Sequence, residues 1–100
     1  MTYAYYYDVP AGEHMYRQVM SGIDDLQPAG LVTHLVVKHD GGLRHFGVWE
    51  TKEEWERYRD EKVRPAVDRV LLAAGFPQTP PPPAEHEMDV VDVMTGTVKV

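Results

Sequence analysis

The chain contains no cysteine. That absence excludes disulfides, thiolate nucleophiles and cysteine-ligated zinc or iron–sulfur sites, so any catalysis has to use oxygen and nitrogen groups. Basic charge is scarce: 10 Lys and Arg against 16 Asp and Glu give a net charge of -6, and no Lys/Arg cluster exceeds two residues. A phosphate-binding footprint for nucleic acid is missing. Long apolar runs are missing too. No stretch approaches the ~20 residues that would span a bilayer, and MTYAYYYDV has no basic segment followed by an apolar run, so the expectation is a cytoplasmic protein without membrane contact. No phosphate-cradling glycine loop, nucleophile elbow or dinucleotide fingerprint occurs, which disfavours nucleotide chemistry. Internal repeats are absent.

What is present, 43% hydrophobic and 26% charged residues over 100 positions, is the composition of one globular domain spanning 1–100. A chain this short has a thin core, and burying a further surface by dimerising would add stability.

Thr2 to Val9 reads as a strand with Tyr3, Tyr5 and Tyr7 on one face and Tyr6 on the other. Pro10 and Ala11 open a helix of about 13 residues, with Met15, Val19, Met20 and Ile23 at helical spacing. Leu31 to His39 is rich in β-branched residues, and Asp40-Gly41 is a type I′ hairpin signal leading into a strand from Leu43 to Glu50. With those two as turn residues, His39 faces Gly42, Val36 faces His45, His34 faces Gly47 and Val32 faces Trp49. Thr33, Leu35, Val37, Phe46 and Val48 then form an ordinary apolar surface on the opposite side.

Thr51-Lys52-Glu53-Glu54 is a capping box. It starts a helix whose apolar stripe runs from Trp55 through Ala66, Val70 and Leu71 to Gly75, with Pro65 removing one hydrogen bond and kinking it. PQTPPPPAE at 77–85 is a stiff connector, and Glu87 to Met94 reads as a last strand. Strand, helix, strand, strand, helix, strand is the ferredoxin-like βαββαβ order, an α+β fold with a four-stranded antiparallel sheet. The strands are apolar on both faces, so the face away from the helices asks for a cover. A second copy of the chain is the simplest one.

His34 and His45 carry two readings: half-buried histidines that each satisfy one local hydrogen bond, or titratable groups in a pocket wall suited to proton abstraction or to hydrogen-bonding an aromatic ligand. Gly47 would leave space and Trp49 would stack. Trp49, Trp55 and Tyr58 are core residues or stacking residues for a flat ligand, and Tyr5, with Tyr3 and Tyr7, poses the same choice. A metal is not expected, because no carboxylate or third histidine shares the face of the two histidines.

These stretches resemble the dimeric α+β barrel superfamily, and within it the antibiotic biosynthesis monooxygenase-like proteins. The resemblance is carried by AYYYDV, LVTHLVVKHDGG and above all the junction FGVWETKEEWERYRDEKVRPAV. It implies that two ferredoxin-like subunits pair their sheets into a barrel, each with a pocket between the sheet and its own helices. It further implies that the monooxygenase members use no metal or prosthetic group: deprotonation gives a substrate carbanion that reduces dioxygen. The pocket would be lined by Tyr5, Trp49, Trp55 and Tyr58, with His34 and His45 as catalytic residues. Trp49 falls where that group has a pocket tryptophan and His45 where a polar strand residue sits. Trp55 falls near a pocket aromatic, with an indole in place of a phenol. Haem-degrading relatives carry an axial histidine in the second helix; Glu53 to Val67 has none, and Arg59 stands about where it would be. The expected protein is thus a homodimer that oxidises or binds an apolar, aromatic or polyketide-like molecule without a cofactor, the alternative being a non-enzymatic ligand-binding or structural dimer.

Overall fold

The hairpin organises the sheet. In the computed structural model, which describes residues 2–96, β1 is Tyr3–Val9, β2 is Leu31–His39, β3 is Gly42–Trp49 and β4 is His86–Met88. Asp40 and Gly41 both take positive φ, 49° and 78°, as a type I′ turn requires. The register that follows from this turn holds along most of the hairpin: His39 faces Gly42, Val36 faces His45 and His34 faces Gly47. At the far end it shifts. Trp49 is opposite Leu31, not Val32, with an irregularity between Leu31 and Thr33. An extra residue reverses the alternation beyond it, so Leu31 is the one that packs on the aromatic core.

β1 pairs antiparallel with β3, placing Tyr3 opposite Trp49, Tyr5 opposite Gly47 and Tyr7 opposite His45. The sheet order is β2-β3-β1-β4. With helices between β1 and β2 and between β3 and β4, this mixed α+β connectivity is compatible with the ferredoxin-like arrangement.

Two expectations are corrected at the element ends. Helix α1 is Glu13–Ser21, nine residues rather than about 13: Gly12 stays extended as its N-cap and Gly22 closes its last turn. Ile23 is buried just beyond it. The last strand covers His86–Met88 and not Glu87 to Met94. Among the described residues it is an edge strand hydrogen-bonded to β1 alone, from Ala4 to Tyr6, and the next residues, charged at Asp89 and Asp92, leave Val91 and Met94 exposed.

The second helical rod consists of α2 (Lys52–Tyr58), a wider π turn (Arg59–Val63) and α3 (Arg64–Ala73). Its start follows the capping box: the Glu54 amide donates to Thr51 Oγ1 at 3.2 Å. The return contact differs from the ordinary box, since the Thr51 hydroxyl donates to Glu54 Oε1 at 2.9 Å. Around Pro65 the backbone stays helical, and the Arg64 amide reaches back to the Arg59 carbonyl. Widening the turn before a proline accommodates the missing donor and the ring. Gly75, at φ 97°, lies just past the end, as a C′ glycine does.

The helices cover one face of the sheet, where Tyr5, Trp49 and Trp55 form the buried cluster, joined by Tyr3, Tyr7, Leu31, Tyr58 and Val63. The other face carries Tyr6, Val37, Phe46 and Val48, half-buried, and Leu35, which is 54% exposed. No helix among the described residues is long and apolar enough to cross a membrane.

Candidate functional site: an aromatic wall under two histidines

Alternation along β1 and β3 puts Tyr3, Tyr5 and Tyr7 beside Trp49, Gly47 and His45 on the helix side. The α2 helix, fixed at its first turn by Thr51, lowers Trp55 and Tyr58 onto that row. Tyr5 and Trp55 stack with centroids 4.5 Å apart. Trp49 lies 5.7 Å from Trp55 and 5.5 Å from Tyr58. Tyr7 continues the row, stacked on His45 at 4.7 Å, and His34 stands 5.8 Å from His45. All six expected site residues therefore belong to one contiguous surface.

The interior differs from an open pocket in one respect. The room that Gly47 leaves is filled by the Tyr5 phenol, which a β-carbon at Gly47 would strike. Tyr5 is 1% exposed. Two surface hollows, of about 260 Å³ between α1 and α3 and about 420 Å³ beside the Asp40-Gly41 turn, are lined by other residues.

Electrostatically the wall is tuned against charge. Burial, reinforced by the neighbouring His34, pushes the His45 imidazole down to about 4, so it is neutral at pH 7. His34, at the open end on β2, is shifted in the same direction by desolvation. Burial raises the Tyr5 and Tyr7 phenols, which stay protonated. Tyr58 is raised by burial and by Asp25 and Asp24, and its hydroxyl donates to the Asp25 carbonyl at 2.6 Å.

The two indoles differ. Trp55 Nε1 donates to Glu85 Oε1 at 3.2 Å. Trp49 Nε1 is fully buried and, among the described residues, has no partner in ordinary hydrogen-bond geometry; the Tyr5 hydroxyl is its nearest polar neighbour, close enough for Trp49 to oppose the upward shift of that phenol. A buried donor left without an acceptor costs on the order of 1–3 kcal/mol, and native interiors hold few of them.

Sequence reasoning missed three participants. Tyr16 of α1 sets its ring edge-on to His45 at 5.4 Å; its position one residue after Met15 and three before Val19 was the available signal. Arg59 and Glu85 meet at 3.1 Å over the cluster, and nothing local marks a contact between residues 26 apart. Among the described residues no group of three or more His, Asp or Glu is arranged to hold a metal ion. Compared with protein-family models and with curated proteins, the chain matches none.

Proposed function

We propose that this chain is a monooxygenase-like protein that binds a flat aromatic or polyketide-like molecule against the helix side of its sheet. The observation that carries this reading is the buried indole N–H of Trp49, which lacks a partner in ordinary hydrogen-bond geometry inside a stack of aromatic rings. A planar ligand carrying a carbonyl would supply the missing acceptor while stacking on Trp55 and Tyr58. In the reaction that the resemblance implies, the substrate loses a proton to a histidine, and the resulting carbanion passes electrons to dioxygen with no cofactor involved. Between the two histidines, His34 is the base. A group titrating near 4, as His45 does, has little basicity to offer at neutral pH; His34 is lowered too, by desolvation alone, but it is the more exposed of the two. Neutral His45 then serves as a hydrogen-bond acceptor beside it.

The assembly proposed with this site is a dimer joined through the helix-free sheet face, where Leu35 is half exposed among Phe46, Val48 and Val37. A second reading, a ligand-binding or structural dimer without catalysis, is favoured by Tyr5 occupying the space over Gly47.

Thermal shift with 2-naphthol, in the wild type and in Trp49→Phe, tests binding. The expected result is a rise of a few degrees in the wild type that the variant loses; equal shifts in both would remove Trp49 from the site. For any substrate so found, dioxygen uptake that survives His34→Ala would sink the catalytic reading and leave the binding one.

A further inference from the structure

Glu85 closes the connector 77–85 over the aromatic wall. Its Oε1 accepts from Trp55 Nε1 at 3.2 Å, and both its oxygens accept from Arg59 Nη1, at 3.1 and 3.2 Å. Arg59 is the first residue of the π turn, and its guanidinium lies 6.0 Å from the centre of the Trp55 ring. The other edge of that guanidinium is occupied by Asp60, 2.9 Å from Nε. Only the Nη1 edge, the one beside Trp55, is held by a residue from the connector. The charge of Glu85 also reaches the phenols: it contributes to raising Tyr3, Tyr5 and Tyr7. One carboxylate thus sits where the indole, the guanidinium and the tyrosine row converge.

The stiff connector that delivers this carboxylate runs along the surface. Residues 80–84 are exposed, four consecutive prolines from Pro80 to Pro83 donate no hydrogen bonds, and β4 behind it has three residues. A partly exposed ion pair of this kind is weak, so another carboxylate can compete for the same donors.

We propose that Glu85 is a built-in occupant of an anion subsite made by Arg59 Nη1 and Trp55 Nε1, and that the protein's aromatic ligand carries a carboxylate that displaces it. The proposal deepens the aromatic-ligand reading above and rests on it. The ligand's acid group would take the place of the Glu85 carboxylate, accepting charge-assisted hydrogen bonds from Arg59 Nη1 and a further one from Trp55 Nε1, with its ring at the Glu85 edge of the cluster.

Isothermal titration of the full chain with 2-naphthoate and with the uncharged 2-naphthalenemethanol tests this. Glu85→Gln keeps an acceptor for Trp55 Nε1 and removes the charge. It is expected to bind 2-naphthoate about tenfold tighter than the wild type does, while the alcohol changes by less than about twofold. Adding Arg59→Gln to Glu85→Gln should abolish the gain. Glu85→Ala, with the indole contact also removed, should give the same ordering of the two compounds. A gain shared equally by acid and alcohol would overturn the anion subsite, as would a gain that survives Arg59→Gln or no gain at all while the alcohol still binds. If neither compound binds any variant, the aromatic-ligand reading falls and takes this proposal with it.

Discussion

At the scale of single residues, His45 shows how burial sets chemistry. It is 8% exposed, packed between Tyr7, Tyr16 and His34, and the folded protein holds it at about 4 against about 6.5 in an unfolded chain. Between those values the unfolded chain takes up a proton that the folded one refuses, so the His45 contribution is complete above about 6.5 and is lost as pH falls toward 4. The expected outcome is that urea midpoints drop between pH 7 and pH 4.5, with His45 accounting for about 2 kcal/mol of the loss. His45→Phe, which keeps a ring against Tyr7, should lose less over the same interval. Parallel slopes in the two proteins would show that the imidazole is not titrating in this range. Gly47 makes a complementary point: without the Tyr5 ring in place, its missing side chain would read as empty room for a ligand.

At the scale of elements, the junction from β3 into α2 does the positioning. Thr51 caps the helix through both its hydroxyl contacts with Glu54, and this first turn sets the height at which Trp55 meets Tyr5. Thr51→Ala is expected to cost about 1 kcal/mol, seen as a melting temperature lower by roughly 4–8 °C for a domain of this size. An unchanged melting temperature would mean that tertiary packing alone holds α2. The π turn before Pro65 matters in a different way. By absorbing the proline, it keeps the backbone helical from α2 into α3, and its first residue is the arginine that meets Glu85.

At the scale of the whole molecule, a helix layer on one side of a four-stranded sheet leaves the other side open. That face is lined by Tyr6, Leu35, Val37, Phe46 and Val48, with the Asp8–Arg44 pair at 2.7 Å toward one end. For the proposed sheet-to-sheet dimer, sedimentation equilibrium should report twice the chain mass, and Leu35→Asp should shift the protein to monomer by placing an unpaired charge in the buried face. A wild type that sediments as a monomer at every concentration tested would remove the dimer.

Much of this was legible in the sequence wherever the cause is local. Positive φ at Asp40 and Gly41 makes the hairpin turn, a turn of two residues dictates which residues face each other, and period-two alternation then puts His34, His45, Gly47 and Trp49 on one side. Thr51 and Glu54 announce a helix in the same local way. Tertiary structure decided what depends on residues distant in the chain. Whether the space over Gly47 is free depends on a tyrosine in β1. Which of two similar indoles has an acceptor depends on where the proline connector lays Glu85. How long the last strand runs depends on how far β1 can pair with it. Alternation along a strand is a property of the backbone and is carried by the sequence alone; occupancy of the space between elements is a property of packing and exists only once they meet.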